Sequence, residues 1–448
     1  MKKIALSLIL VIIICSTLLL TSCMEKIVEV AKTELEFRLN DEGNGYIVTG
    51  YNELKNPKEI VIPSEYEGLP VVAIGYQAFM YRDTLKKVVI PNTVKSIGER
   101  AFAYCTALNT VVLGSGVESI GEGVFVNCRS LEQIYIPASV KEISYQVFYG
   151  CTKLAIDVDE QNEYYIVLDG NLYQVGYSYN YQMTSNSWTL KRYSPLNESS
   201  SFTISKEVEK IEEYAFFECD SLKHISFEEG TTIQTLDKAF SDLKTLESIV
   251  IPDSVTTISN YAFSNCTLLK TVTFGENSQL GCIDYCAFEG CRSLTNINIP
   301  DSVIEIRSSV FKDCVSLEYI DLPYTLEEIL QDTFMGCTSL KSIVIPNHVK
   351  RIFANSFSDC TSLESITLPD TLEYIGEGAF RNCSSLESIF IPQKTHDIGK
   401  YAFYGCDKIT LYFELGYWHS FMNNKMMEEG TPHYFGCTRD EAEQKIQK

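Results

Sequence analysis

Histidine is scarce in this sequence, and the short motifs that carry enzymatic chemistry are missing from it. The chain has 448 residues and only 5 histidines, which lack the paired spacing of a metal site. There is no H-E-x-x-H metalloprotease motif, no G-x-S-x-G nucleophile motif and no G-x-x-x-x-G-K-[ST] phosphate-binding loop. We therefore expect no catalytic residue, no bound metal ion and no cofactor, and so a protein that is not an enzyme.

One acidic segment has part of the spacing of a calcium loop. Asp157, Asp159 and Gln161 alternate as the first ligands of such a loop do. The loop also needs a glycine at its sixth position and a bidentate glutamate at its twelfth, where this chain has Asn162 and Leu168. We expect no calcium site here.

Basic residues are also few. Lysine and arginine number 37 against 59 aspartates and glutamates, which gives a formal net charge of −22. Proteins that bind nucleic acid neutralise phosphates with lysine and arginine. The balance therefore argues against nucleic acid as a partner and mainly indicates a soluble, acidic surface.

A phenylalanine recurs about every 23 residues through most of the chain. A fixed period of this length, with leucines at set offsets, is typical of a leucine-rich solenoid in which each repeat forms one coil. The spacing is interrupted once, over the 68 residues between Phe148 and Phe216. The recurring residues are Phe79, Phe102, Phe125, Phe148, Phe216, Phe240, Phe263, Phe288, Phe311, Phe334, Phe357, Phe380 and Phe403.

Each repeat contains a short strand with alternating apolar residues. In one copy, Leu340, Ile343 and Ile345 form an L-x-x-I-x-I pattern, and the two isoleucines face the same side because strand side chains alternate. Pro346 ends the strand because it has no N–H for a ladder, and Val349 resumes the buried face. One coil is too thin to bury these side chains, so stability must come from stacked neighbours.

The repeat resembles the BspA-like leucine-rich repeats of bacterial surface proteins. The resemblance rests on blocks such as Tyr261-Ala262-Phe263-Ser264-Asn265-Cys266 and Ile251-Pro252-Asp253-Ser254-Val255, and it covers roughly residues 71–413. It implies a leucine-rich repeat superhelix of coils of about 23 residues, with a parallel β-sheet on the concave face and short helical or irregular turns elsewhere. For function it implies partners on a host or on neighbouring bacteria, and no catalytic motif.

The N-terminus has the features of an export signal. Lys2 and Lys3 precede an apolar run over residues 4–20. The following Leu20-Thr21-Ser22-Cys23 resembles a bacterial lipoprotein signal, in which the cysteine becomes the lipidated first residue after cleavage. Lipid attachment at Cys23 would anchor the exported protein to a membrane at the cell surface. The alternative is an ordinary membrane-spanning anchor, since the run is nearly long enough.

The predicted organisation has no domain break within the solenoid. The tyrosine-rich interruption is interpreted as a β-rich insertion or as degenerate coils, and two strands, over residues 46–51 and 59–63, are expected to cover the first coil. The predicted parts are a signal peptide (1–22), an N-terminal linker and β-rich cap (23–68), the solenoid (69–413) with the insertion or degenerate coils (157–201), and a C-terminal capping segment and tail (414–448).

Most of the 16 cysteines recur in phase with the repeat. Eleven lie three residues after the phenylalanine, a position that Arg82 and Leu243 fill in two coils. A cysteine repeated once per coil behaves as a small buried apolar residue, so we expect reduced, inert thiols rather than disulfides. Cys282, Cys286 and Cys437 lie off this phase. Cys282 and Cys286 could pair or bind a metal, but no second cysteine or histidine pair of metal-ligand spacing accompanies them, so core or surface thiols are expected.

The strands also present columns of outward side chains on the predicted concave face. The simplest explanation of the branched and aromatic members is β-propensity, while the alternative is a binding surface of the kind that solenoids use. On the second interpretation the candidate binding residues are Val89, Val112, Tyr135, Tyr319, Val344 and Phe390.

Three functions remain open on the sequence. The first is a monomeric, non-catalytic, adhesin-like lipoprotein whose solenoid binds protein or glycan on a host or neighbouring bacterial surface. The second is a structural spacer or envelope scaffold without a specific ligand. The third is a glycan-active enzyme that uses the tyrosine-rich segment, which the missing nucleophile and acid pair disfavours.

Overall fold

A computed structural model describes residues 35–51, 57–176, 187–414 and 433–437 of the chain. The chain forms two compact units that divide between Gly176 and Tyr177. Among the described residues the regular structure consists of short β-strands and a single 3₁₀ helix at Lys238–Phe240. The predicted signal peptide, Cys23 and the non-repeating residues 415–432 lie outside the described residues.

The first unit begins with an antiparallel pair and continues as short strands, one or two per repeat. In chain order these strands are β1 (Leu35–Leu39), β2 (Tyr46–Tyr51), β3 (Glu59–Val61), β4 (Glu65–Tyr66), β5 (Leu69–Ile74), β6 (Lys87–Val89), β7 (Ser96–Ile97), β8 (Thr110–Val112), β9 (Ser119–Ile120), β10 (Gln133–Ile136), β11 (Glu142–Ile143), β12 (Ala155–Val158), β13 (Tyr165–Leu168) and β14 (Asn171–Val175).

The second unit repeats the same short strands over most of its length. In chain order they are β15 (Trp188–Arg192), β16 (Ser201–Ile204), β17 (Val208–Ile211), β18 (His224–Phe227), β19 (Thr235–Leu236), β20 (Ser248–Ile251), β21 (Thr257–Ile258), β22 (Thr271–Phe274), β23 (Cys282–Ile283), β24 (Asn296–Asn298), β25 (Glu305–Ile306), β26 (Tyr319–Asp321), β27 (Glu328–Ile329), β28 (Ser342–Val344), β29 (Arg351–Ile352), β30 (Ser365–Thr367), β31 (Tyr374–Ile375), β32 (Ser388–Ile391), β33 (Asp397–Ile398), β34 (Thr410–Glu414) and β35 (His433–Cys437).

The strands of each unit form two parallel ladders. The first ladder joins the strands of the L-x-x-I-x-I pattern, such as β6 with β8 and β28 with β30. The second ladder joins strands that are mostly two residues long, such as β7 with β9 and β29 with β31. The predicted solenoid and its parallel sheet are confirmed, and the second ladder is an addition, because turns were expected there.

The two strands that were expected to cover the first coil both form, but they enter different ladders. β2 pairs antiparallel with β1 and parallel with β5, which starts the second ladder. β3 pairs parallel with β6, which starts the first ladder. At the other end of the chain, β35 adds a parallel strand to β34.

The recurring phenylalanines form a stacked column within each unit. In the first unit Phe79 and Phe102 lie with ring centroids 5.1 Å apart and 8° between their planes. In the second unit Phe380 and Phe403 lie 5.4 Å apart at 3°. Every ring of the column is buried, so each coil supplies one aromatic face to the coil before it and one to the coil after it.

The in-phase cysteines form a second buried column beside the phenylalanines. Cys337 Sγ lies 3.1 Å from the carbonyl oxygen of Phe311, which is the phenylalanine of the preceding coil. Cys105 Sγ makes the same contact to Phe79 O at 3.0 Å. The thiol therefore fills a small apolar space and also donates a weak hydrogen bond between coils.

Most coils turn through left-handed residues on both sides of the phenylalanine, while the coil of Phe240 has one only after the ring, at Asp242. Around Phe357, Asn355 has φ of 53° and Asp359 has φ of 62°. In the coil before it, the position two after the phenylalanine is Gly336, with φ of 76°. Side chains crowd the backbone in this region, which explains why glycine, asparagine and aspartate recur at the position two after the phenylalanine.

The tyrosine-rich interruption contains part of a degenerate coil. Tyr193 lies 23 residues before Phe216, is buried, and has its ring centroid 5.4 Å from that of Phe216. Its backbone N–H donates to Ala215 O at 2.8 Å, as Phe216 N–H donates to Ala239 O in the next coil. Tyr193 thus takes the place of a column phenylalanine, so this part of the interruption is a degenerate coil.

Side chains replace missing backbone partners at the end of the first unit's second ladder. The hydroxyl of Tyr165 accepts a hydrogen bond from the Ile143 N–H at 2.7 Å. The Asn162 side-chain amide donates to Pro137 O at 2.9 Å and to Val140 O at 3.0 Å. Buried backbone groups need such partners, so these two residues act as a side-chain cap.

Candidate functional site

The first ladder turns every second side chain away from the core. In β26, Tyr319 and Asp321 are exposed while Ile320 between them is buried. The same pattern holds in β8 and β30, as expected for strands with one solvated face. The outward positions of the first ladder therefore form the surface on which the candidate binding residues lie.

The six candidate residues divide into an exposed group and a half-buried pair. Val89 and Phe390 are half-buried. The exposed members are Val112, Tyr135, Tyr319 and Val344, with 45%, 50%, 53% and 67% of their surface accessible. Val112 and Tyr135 belong to the first unit, and Tyr319 and Val344 belong to the second. Their part in binding stays a prediction.

In the first unit one candidate residue, Tyr135 in β10, is fixed by a hydrogen bond. The Tyr135 hydroxyl donates to Asp159 Oδ2 at 2.7 Å, and Gln133 Nε2 donates to Asp157 Oδ2 at 2.7 Å. The carboxylate of Asp159 raises the pKa of Tyr135, and the tyrosine in turn lowers the pKa of Asp159. The ring of Tyr135 is thereby held in place while half of it remains open to solvent.

The acidic residues beside Tyr135 are not assembled around a cation. Asp159 accepts a second hydrogen bond, from the backbone N–H of Gln161 at 2.9 Å. In the part of the chain that the structure describes, no group of three or more histidine, cysteine, aspartate or glutamate side chains could hold a metal ion.

In the second unit the candidate residues differ in their surroundings. The ammonium of Lys341 lies over the ring of Tyr319, 5.6 Å from the ring centre, in a cation–π contact. Lys341 also forms an ion pair with Glu318 at 2.6 Å. Val344 has the most exposed side chain of the six candidates. Phe390 packs against Tyr412, so its ring contributes to the fold as well as to the surface.

Charged residues occupy the outward side of the second ladder and pair across coils. Lys141 and Lys95 flank Glu118 at 3.0 and 3.1 Å, and together they hold the pKa of that carboxyl below its ordinary value. In the second unit Arg351 pairs with Glu328 at 3.2 Å. Exposed pairs of this kind contribute little to stability, but they hold much of the charge on one side of the coil.

Sequence reasoning missed a recess on the second ladder that both apolar and acidic side chains line. A cavity of about 800 Å³ is lined by Ile304, Tyr324 and His348, among others. Ile304 and Tyr324 are 67% and 61% exposed. The available signal was Ile304 itself, because the equivalent position holds Glu327 and then Lys350 in the following two coils.

The buried thiols are unreactive. The eleven in-phase cysteines are buried, as expected, and they form no disulfide in the structure. Burial raises the pKa of Cys105 to about 12 and raises the pKa of Cys337 as well, so neither forms the reactive thiolate at neutral pH. Cys282 and Cys286 are only partly buried.

These features define the class of protein, a leucine-rich repeat solenoid with a solvated strand face. The BspA type leucine rich repeat region model matches residues 72–166, 193–315 and 281–410, with 6 copies. The chain therefore belongs to the BspA-type leucine-rich repeat family. Among curated proteins none matches the chain significantly. No helix in the described ranges is long and apolar enough to cross a membrane.

Solved structures of bacterial leucine-rich repeat proteins are similar to this chain. One from Bacteroides ovatus has 25% identity and a TM-score of 0.56, and the match covers 90% of this chain and 98% of that one. One from Eubacterium ventriosum has 23% identity and a TM-score of 0.47, with coverage of 84% and 93%. A leucine rich cell surface protein from Faecalibacterium prausnitzii has 23% identity and a TM-score of 0.33, with coverage of 82% and 93%.

The thiol column generates a labelling prediction. In native protein, an alkylating reagent is expected to modify Cys282 and Cys286 while the eleven in-phase cysteines stay unlabelled, because the reagent cannot reach a buried thiol. Denaturation without a reductant should expose all of them to the reagent. Peptide mass spectrometry measures the labelling of each site, and disulfide-linked peptides from the in-phase column would show the account of these cysteines to be wrong.

Proposed function

We propose that this protein is a non-catalytic, adhesin-like binding protein of the bacterial cell surface, anchored by a lipid at Cys23. In each unit the stacked coils hold the outward face of the first ladder rigid, and that face binds protein or glycan on a host or neighbouring bacterium. The observation that carries the proposal is the exposure of Val112, Tyr135, Tyr319 and Val344 on this face.

Physical reasons favour binding over a purely structural role for these four side chains. Exposure of an apolar or aromatic side chain to water is unfavourable. A partner that covers the side chain lowers the free energy of the complex by about 25 cal/mol for each Å² of apolar surface buried. Stacked repeats build extended surfaces that suit large partners. Tyrosine is also among the residues that dominate the energy of protein interfaces.

The proposed location rests on the N-terminal sequence. Lys2, Lys3 and the apolar run over residues 4–20 have the form of an export signal, and Cys23 follows directly after a Leu-Thr-Ser segment. A lipid chain together with the solenoid would place the binding face outside the cell while the protein stays attached.

The binding face can be tested by removing its exposed side chains. Replacing Val112, Tyr135, Tyr319 and Val344 by alanine should leave the fold intact, because all four are exposed. Binding of the purified protein to immobilised host matrix proteins and to whole bacterial cells should fall at least about tenfold, which corresponds to 1.4 kcal/mol.

A matched control removes exposed tyrosines that lie outside the first ladder. Tyr76, Tyr285 and Tyr404 are 61%, 44% and 41% exposed, and their replacement by alanine should leave binding unchanged. If the variant with the four first-ladder substitutions binds as well as the wild type, the ligand binds elsewhere on the protein. If neither the wild type nor any variant binds, the result favours a structural spacer without a specific ligand.

The lipid anchor can be tested through its single attachment residue. The Cys23→Ser variant should accumulate as an uncleaved precursor. The cysteine sulfur is the atom that receives the lipid, and cleavage of a lipoprotein signal depends on that attachment. Incorporation of labelled fatty acid and the mass of the mature chain measure the outcome. A variant that is still labelled and processed would contradict the anchor.

A further inference from the structure

One face of the second unit is almost without charge although the chain is strongly charged. Strands β16 to β32 of the first ladder provide eighteen outward positions, two on each of nine strands, and none is lysine, arginine or glutamate. Ten are serine or threonine, and His224 and Asp321 are the two with a basic or acidic side chain. We call these outward positions the neutral face. Charged residues make up 21% of the whole sequence, so charge is depleted on this face.

Much of the hydrogen-bonding capacity of the neutral face is unused. The side chains of Asn296, Asn298, Ser342, Ser365 and Thr367 make no hydrogen bond to any other described residue. Near the start of the face the pattern differs: Thr203 bonds to Ser226 and His224 bonds to Ser248, at 2.9 and 2.8 Å. From β24 onward the face therefore offers free donors and acceptors to a ligand.

The lysines that border the neutral face are paired with glutamates. Glu247 lies between Lys223 at 3.2 Å and Lys270 at 2.8 Å. Lys341 pairs with Glu318 at 2.6 Å. These three lysines are engaged with glutamates, so a polyanion finds no complementary surface here.

A recess opens beside the neutral face where one repeat is longer than the others. The step from Phe263 to Phe288 is 25 residues, and the long turn contributes to a cavity of about 680 Å³. This volume lies within the range of sites that hold small ligands. Its lining includes Thr273, Asn298, Phe274, Ser278, Gln279 and Ser302, and also two acidic residues, Glu276 and Asp301.

The turn that forms the recess is held in one shape. Asp253 Oδ1 accepts a hydrogen bond from Asn277 N–H at 3.1 Å. Gly275 lies so close to the same carboxylate that an added Cβ would meet Asp253 Oδ1 at 1.9 Å. Glycine is therefore required at this position, and the recess is a built feature of the fold.

We infer that the neutral face and the recess beside it bind an uncharged polysaccharide. The inference rests on the proposed binding function and names its ligand. Sugar hydroxyls exchange hydrogen bonds with serine, threonine and asparagine side chains, and Phe274 offers an apolar surface to a sugar ring. An anionic polymer would need the lysines and arginines that the face lacks.

The repetition of the neutral face favours a polysaccharide over a folded protein. Neighbouring strands present similar side chains at intervals of about 4.8 Å, and a chain of repeated units can match such an array along its length. Protein interfaces instead concentrate their energy in a few tryptophan, tyrosine or arginine anchors. The neutral face has no tryptophan or arginine and one tyrosine, Tyr319.

Affinity electrophoresis of the purified protein in gels that contain one polysaccharide each tests the inference. The neutral probes are dextran, yeast mannan and laminarin, and the anionic probes are heparin and hyaluronate. At least one neutral probe should retard the protein, with little dependence on salt, and the anionic probes should not. Retardation by the anionic probes alone, or by none of the five, would overturn the inference.

Paired variants locate the site. Replacing Thr273 and Asn298 by alanine should lower the association constant for the neutral probe about tenfold, because each loses one or two hydrogen bonds. The control replaces Gln234 and Thr235, an exposed amide and an exposed hydroxyl outside the first ladder, and should bind as the wild type does. Equal binding by both variants would overturn the assignment to this face.

The result also separates this inference from the proposed function. If no neutral polysaccharide binds but the first-ladder variant loses binding to an immobilised matrix protein, then the ligand is a protein and only the further inference fails. If neither a polysaccharide nor a protein binds, the proposed function fails as well.

Discussion

The face-to-face stacking of one aromatic ring per coil is the interaction on which the rest of this structure depends. A single coil cannot enclose Phe357, so its ring is covered by Phe334 on one side and Phe380 on the other, at 5.2 and 5.3 Å between centroids. The thiol column follows the same geometry, because Cys360 reaches the carbonyl of Phe334 at 3.2 Å. Each coil is thus stabilised by its neighbours rather than by itself.

This constraint explains which parts of the fold could be predicted from the sequence. The period of the phenylalanines and the L-x-x-I-x-I strands is imposed by burial, so both are visible in the residues. Tyr193 was missed because tyrosine replaces phenylalanine there, although its position is in phase. The second ladder was missed because two residues such as Arg351 and Ile352 are too short for alternation to show.

The candidate site was less predictable, for a physical reason. Outward positions are chosen by solvent, by β-propensity and by partners, and only the last of these reports function. Positions 89 and 112 are both valine and occupy the same place in successive repeats, yet Val89 is half-buried and Val112 is exposed. The recess beside Gly275 depends on two extra residues in one repeat, whose effect on the turn is visible only in three dimensions.

The separation of roles around the coil follows from the same scaffold. Stacked rings and thiols fill the interior, and ion pairs such as Arg351 with Glu328 lie on the second ladder. In the second unit the first ladder keeps a surface with little charge. Because the core fixes the register of every strand, the outward side chains can vary without loss of the fold. That freedom is what allows a repeat scaffold to carry a binding surface.

Hydrogen exchange of the Phe357→Ala variant, followed peptide by peptide with mass spectrometry, tests the dependence of each coil on its neighbours most directly. Loss of the ring should weaken the local coil interfaces by about 3 to 5 kcal/mol. The account predicts faster exchange than in the wild type in the coils of Phe334, Phe357 and Phe380. The increase in exchange rate should decline in coils farther from them, and the first unit should exchange at the wild-type rate. Faster exchange confined to the coil of Phe357 alone would contradict it.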